Sequence, residues 1–301
     1  MLRGGIGFFD SGVGGLSVLY ASLREVKGYP VYYYGDNRRA PYGNQSINKI
    51  RAYAYEAFSF FERVGARVVV IACNTVTALL IDELRLRFPF PIIGVEPAIL
   101  PAVRRADRIL VLATPATAQS ERLQALVNKA LALRPEVEVR VVGCNRLASI
   151  VEQGLPCNDM QVTAELPRWD ADCVVLGCTH YSFLKREISE FYNVEVLDGN
   201  RGVAHRLQIV LKGLKAAEEI PLETPRRVGG SSDKNNGEYS GVGLLKALSF
   251  FAIKNRQNPP KFRLKKMALY GRAQNAQSLY FVGSGRIYNR HFCERLFTFY
   301  K

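Results

Sequence analysis

The chain has 301 residues, 48% of them hydrophobic, enough to bury a large core and to divide into two domains. No apolar run reaches membrane-spanning length, and the opening "MLRGGIGFFD" turns polar too early for a secretory signal. The formal net charge is +14, but +10 of it lies from Lys254 onward, so a charge argument for nucleic-acid binding applies to that tail alone.

The predicted elements alternate along the chain. "GIGFF" reads as a strand, "DSGVGG" as a loop and "LSVLYASLREV" as a helix. "PVYYYG" is a strand, "SINKIRAYAYEAFSFFERV" a helix, "RVVVIA" a strand, "NTVTALLIDELRLRF" a helix and "PIIGV" a strand. The segment "EPAILPAVRRA" reads as a crossing to a second unit. That unit runs from strand "RILVLAT" through helix "ATAQSERLQALVNKAL" and strand "EVEVRVVG" to the helical "RLASIVEQG". It continues with strand "CVVLG", helix "YSFLKREISEFY" and strand "VEVLD". Val/Ile-rich strands each followed by a helix predict an α/β protein with mainly parallel sheets covered by helices. A Gly/Ser/Asn stretch, "GGSSDKNNGEYSG", separates this body from the basic tail.

Six cysteines without framework spacing or a Cys-x-x-Cys pair fit a reducing cytoplasm, and only three histidines (His180, His205, His291) argue against a zinc site. Two of the cysteines stand in matching contexts, Cys73 in "VVVIACNTVTALL" and Cys178 in "CVVLGCTHYSFL". Each is expected at the carboxyl end of a strand and the start of a helix, where ligands bind in open α/β sheets and where free N–H groups favour a thiolate. A packed, inert core cysteine is the bland alternative for either one alone. The repeated context favours opposed thiols from two lobes. One removes a proton from a carbon while the other returns one to the opposite face, which inverts the centre. A cysteine hydrolase would use His180 beside Cys178 and leave Cys73 unexplained.

Asp10 closes the first strand before a glycine loop whose N–H groups suit an anion such as a substrate carboxylate; a tight turn with an Asp cap fits that stretch equally well. The loop lacks the pattern of a dinucleotide fold or P-loop. "YYYGDNRRAPYGNQS", with Arg38, Arg39, Tyr42 and Asn44, reads as a lip over an anionic ligand or as a plain loop. No lysine occurs between Lys49 and Lys129, so none near Cys73 is placed to carry a pyridoxal phosphate Schiff base.

Together, Asp-Ser-Gly-Val-Gly-Gly-Leu, Gly-Asp-x-x-x-Ala-Pro-Tyr-Gly, Ala-Cys-Asn-Thr and Gly-Cys-Thr-His resemble the glutamate racemases, cofactor-independent enzymes that make D-glutamate for bacterial peptidoglycan. The similarity is good from residue 6 to about 212, weak to 253 and absent beyond. It implies two pseudo-symmetric α/β lobes with the active site in the cleft between them. It also implies a first lobe of residues 1–96 plus about 205–253 and a second of 97–204; the basic tail, 254–301, has no counterpart in the family and reads as an addition without fixed order. Cys73 and Cys178 would be the acid/base pair, assisted by Asp10, Glu152 and His180. Asp10, Ser11, Tyr42, Gly43, Asn74, Thr75, Thr179 and His180 would hold glutamate, with Thr114 and Thr117 contributing. The resemblance implies no cofactor and no metal, leaves a homodimer open, and gives no reason for a membrane or nucleic-acid partner. Asn37-Arg38 departs from the family's usual pair at the pocket edge. An aspartate racemase, whose substrate is one methylene shorter, is the nearest alternative; pocket discrimination of that size is worth only about 1–3 kcal/mol. A nucleic-acid or gyrase contact through the tail, with its Phe262, Tyr270, Tyr280, Phe281, Tyr288 and Phe292, is the alternative from another class.

Overall fold

The structure, a computed structural model, describes residues 4–154, 157–218, 263–269 and 277–283. Two sheets carry the fold. The first is built from β1 (Ile6–Asp10), β2 (Val31–Gly35), β3 (Val68–Ile71), β4 (Ile92–Gly94), β9 (Arg263–Leu269) and β10 (Gln277–Gly283). The second holds β5 (Arg108–Ala113), β6 (Glu138–Gly143), β7 (Cys173–Gly177) and β8 (Glu195–Leu197). Every pairing is parallel except β9 with β10. The strand orders are β4-β3-β1-β2-β10-β9 and β6-β5-β7-β8. Read backwards, the second is β8-β7-β5-β6, the order β4-β3-β1-β2 with each strand four places later. The lobes therefore share one winding, as the repeated cysteine motif predicts.

Helices α1 (Leu16–Glu25), α2 (Ile47–Arg63), α3 (Asn74–Arg87) and α4 (Ile99–Ala102) belong to the first half of the chain. α5 (Pro115–Ala118), α6 (Glu121–Leu133), α7 (Leu147–Gln153), α8 (Asp159–Ala164) and α9 (Lys185–Tyr192) belong to the second, and α10 (Asn200–Glu218) follows β8. β1, β2, β3 and β7 are buried along their whole length, as strands covered on both faces must be. Close packing sets local identity: a side chain on Gly7 would meet the Phe61 ring at 2.7 Å, so β1 and α2 approach only with glycine there.

Several elements differ from expectation. The helix expected over "ATAQSERLQALVNKAL" is two, because the Ser120 hydroxyl accepts from Leu123 N at 3.2 Å and caps a fresh start at α6. The helix expected at "YSFLKREISEFY" opens as a 3₁₀ helix, Thr179–Leu184, before α9. α8 and α10 were not read from sequence. α10 leaves the second sheet and packs along α1, burying Val203, Leu207 and Leu211. The tail expected to lack order supplies β9 and β10. β10 pairs with β2 and buries Leu279, Phe281 and Val282, so this part of the tail belongs to the first sheet. Tyr280 stacks on Tyr32 at 5.1 Å, which removes it and Phe281 from any role as exposed stacking platforms. Phe262, Tyr270, Tyr288 and Phe292 lie outside the described residues. Among the described residues no helix is long and apolar enough to cross a membrane.

One continuous apolar cluster runs from Phe8, Leu16 and Val70 of the first lobe to Leu112, Val174 and Leu176 of the second. Each lobe has a further cluster on its outer face. The shared cluster makes the lobes one cooperative unit. Leu176→Ala is expected to cost about 2–5 kcal/mol. Denaturant unfolding should then remain a single transition by both tyrosine fluorescence and circular dichroism.

Candidate active site

Both cysteines sit where a strand gives way to a helix. β3 ends at Ile71, and Cys73 stands at the cap of α3. β7 ends at Gly177, and Cys178 stands at the cap of the 3₁₀ helix. Because the strand order repeats, these are the same position in each lobe, at the carboxyl end of the strand beside β1 and beside β5.

Cys73 and Cys178 line one cleft between the lobes, together with Ser11, Tyr42, Gly43, Asn74, Thr75, Thr114, Thr179 and His180. Pro41 and Ala148 complete the wall and had not been singled out from sequence. The cleft encloses about 10 Å³, close to the room one water needs. A larger ligand is admitted only when the lip or the lobes part. Among the described residues no His/Cys/Asp/Glu cluster has the arrangement of a metal site.

Asp10 and Glu152 stand behind this wall. The Asp10 carboxylate accepts from Gly12 N at 2.9 Å and from the Thr179 hydroxyl at 3.3 Å. Glu152 Oε1 accepts from Val13 N at 2.9 Å and lies 2.6 Å from His180 Nε2. His180 Nδ1 in turn lies 3.7 Å from Cys178 Sγ. From sequence the glycine loop fits equally a cradle for a substrate carboxylate or a tight turn capped by Asp10; its Gly12 and Val13 N–H groups meet the protein's own Asp10 and Glu152. Side chains on the loop would close this geometry: a Cβ on Gly12 would fall 1.8 Å from Glu152 Oε1, and one on Gly14 2.5 Å from His180 Nδ1.

On the other side, Cys73 Sγ points to Ser11 Oγ at 3.7 Å. Three hydroxyls meet across the lobes, Thr75 with Thr114 at 3.0 Å, Thr75 with Thr117 at 3.3 Å and Thr114 with Thr117 at 2.9 Å. Asn74 Nδ2 donates to Val95 O at 3.5 Å. Gly43 packs its backbone on Thr114, where a Cβ would lie 2.6 Å away. Tyr42 donates its hydroxyl to buried Asp36, which Arg39 also engages while bonding Glu56 at 2.9 Å. Arg38 is exposed and lines no part of the cleft.

The two thiols differ in surroundings. Burial, then the nearby Asp10 charge, pushes Cys73 up to about 12 against the backbone N–H of Val76 and the Ser11 hydroxyl. The helix end was expected to favour a Cys73 thiolate; the loss of solvation outweighs it. Burial lowers His180, but its contacts with Cys178 and Glu152 outweigh burial and hold it well above its ordinary range. Burial raises Asp10, with His180 and two loop N–H groups opposing.

His180 binds its proton more tightly folded than unfolded, so its contribution is present below 6.5 and lost as pH rises through the raised value. Cys73 contributes below 9.0 and loses that contribution as pH climbs toward about 12. Glu152→Gln removes the charge and keeps the shape. The His180 imidazole is expected to deprotonate at lower pH in this variant than in the parent, read by imidazole ¹⁵N NMR; an unchanged titration would separate Glu152 from the imidazolium.

The sequence profile of the Asp/Glu/hydantoin racemases matches residues 15–207. A glutamate racemase of Clostridium botulinum (strain Okra / Type B1) is 35% identical over 225 residues, covering 71% of this chain and 86% of that protein. The crystal structure of Francisella tularensis glutamate racemase in complex with D-glutamate superposes with a TM-score of 0.61 at 27% identity, over 71% of this chain and 82% of that one. Escherichia coli glutamate racemase, solved with L-glutamate and the activator UDP-MurNAc-Ala, gives 0.61 at 28% identity over 70% and 83%. By profile, sequence identity and fold alike, this chain belongs to the Asp/Glu/hydantoin racemase family.

Proposed function

We propose that the chain is a glutamate racemase that interconverts L- and D-glutamate with two cysteines and supplies D-glutamate for peptidoglycan in the cytoplasm. The observation that carries the mechanism is the placing of Cys73 and Cys178 at equivalent strand ends on one cleft. The relatives named above support the substrate, since related structures hold each hand of glutamate. The topological repeat supports a division near residue 96, and the packing of α10 on α1 supports a return to the first lobe, which β10 joins as well; residues 219–253 lie outside the described residues.

The α-proton of an amino acid carboxylate is weakly acidic, so the site must stabilise charge as it develops. The Thr75, Thr114 and Thr117 hydroxyls, with Asn74 and Thr179, are the donors assigned to the substrate, in a cleft that excludes water. One cysteine enters as thiolate and the other as thiol. The Cys178 thiolate, beside the His180 imidazolium, takes the α-proton from one face. Cys73 gives its proton to the other face, and the carbon inverts. Cys178 is then a thiol and Cys73 a thiolate, the state that suits the opposite enantiomer. Burial and Asp10 disfavour the Cys73 thiolate, and its return to the thiol resets the site for another molecule of the first hand. No step draws on a cofactor.

The test is proton NMR of each enantiomer in deuterated water without added pyridoxal phosphate. Deuterium is expected at Cα of the product enantiomer first, in both directions, because the proton returned comes from a different thiol than the one that took it. Cys73→Ala and Cys178→Ala should each lose racemisation by at least about 10³-fold, as removal of an obligatory acid/base group does. Racemisation that persists in Cys73→Ala ends the two-thiol mechanism. Faster exchange with aspartate than with glutamate would move the assignment to aspartate.

A further inference from the structure

The tail strand β10 touches the first lobe beside the chain that builds the site. β10 runs parallel to β2 with Phe281 opposite Tyr33, Val282 opposite Tyr34 and Gly283 opposite Gly35. Alternation along β2 puts Tyr33 on the face of the shared core and Tyr32 and Tyr34 on the outer one. Phe281 lies on the same face as Tyr33, with the ring centres 5.9 Å apart, and both rings are buried. The Tyr33 hydroxyl then donates to Gly12 O at 2.8 Å. That carbonyl is also confined from the strand side, where a Cβ on Gly35 would stand 3.0 Å from it. Gly12 N holds Asp10, and the next amide, Val13 N, holds Glu152, the partner of His180.

We infer that Tyr33 is a positioning residue for the racemase site and that β10, through Phe281, sets the ring that positions it. Tyr33 does not line the cleft. Its hydroxyl fixes the peptide between Gly12 and Val13, which aims the Val13 N–H at Glu152, and it steadies the adjoining peptide, whose Gly12 N–H meets Asp10. The tail strand thereby becomes part of the active-site support. The inference rests on the racemase assignment for its kinetic readout, but the loop geometry can be measured without activity.

The full chain is compared with Tyr33→Phe, Phe281→Ala, Phe281→Leu and the double variant Tyr33→Phe/Phe281→Ala. Tyr33→Phe keeps the ring and loses one hydroxyl. It is expected to lower kcat about tenfold in both directions with KM within about twofold, the pattern of misplaced catalytic groups with binding intact. Phe281→Ala should show a similar loss, and Phe281→Leu should restore most of it. In the double variant the two losses should not add, because both act through one hydrogen bond. Hydrogen exchange at the Gly12 and Val13 amides should quicken in Tyr33→Phe while β3 amides stay as protected as in the parent. Unchanged kcat and unchanged Gly12 and Val13 exchange, with only a lower melting temperature, would reduce Tyr33 to packing. Additive losses in the double variant would separate β10 from the loop. A parent chain inert toward both hands of glutamate would overturn the racemase assignment instead, and the amide exchange would still decide the role of Tyr33.

Discussion

The carboxylate of Glu152 is the group on which the site depends. It comes from α7 in the second lobe, yet accepts from Val13 N in the first and holds His180 at 2.6 Å. One side chain thus joins the lobes and orients the imidazole beside Cys178. The contact admits only a glycine at position 12, where any side chain would collide with the carboxylate. Burying a carboxylate is costly unless donors meet it, and here a backbone amide and an imidazolium do so together. The shared apolar core carries the two halves to this distance. The contact that crosses the lobes is the single hydrogen bond from Val13 N, which adds only about 1 kcal/mol to what the shared core supplies.

Much of this was legible in sequence because it is local. Continuous apolar runs before Cys73 and Cys178 marked buried parallel strands, and the residues after each marked a helix start. The repeated motif anticipated a repeated topology, which the strand orders show. Contacts that depend on distant segments were not legible. Nothing in "IVEQG" says that Glu152 will meet the amide of Val13, and nothing near Thr75 announces Thr114 and Thr117. The free N–H groups of "DSGVGG" and the capping role of Asp10 were legible, but the second acceptor, Glu152, was not, because it lies in the other lobe. Nor was the β10 strand, whose apolar residues Leu279, Phe281 and Val282 acquire meaning only beside Val31, Tyr33 and Tyr34 of β2. α10 hid for a related reason: Gly202 and Gly213 interrupt a helical pattern that packing on α1 completes.

The winding of the lobes is the same, while the environments of the thiols are not. Repetition of strand order brings each cysteine to the equivalent strand end, which a carbon with two faces requires. Two thiolates in one cleft would repel, so a single ionisation is favoured, and the side chains behind each thiol bear on which one carries it in the proposed reaction. The second lobe adds an imidazole and a carboxylate behind Cys178; the first places a buried carboxyl near Cys73 and drives that thiol toward its neutral form. The fold therefore supplies the symmetry of position, and the side chains behind the cleft break the symmetry of charge. Asp10 stands on the seam between these halves, since it faces Cys73 through space and also accepts from Thr179 in the second lobe. Any change that moves the loop from Asp10 to Val13 moves both halves at once, so the peptide at Gly12 has more leverage on the chemistry than its distance from the thiols suggests.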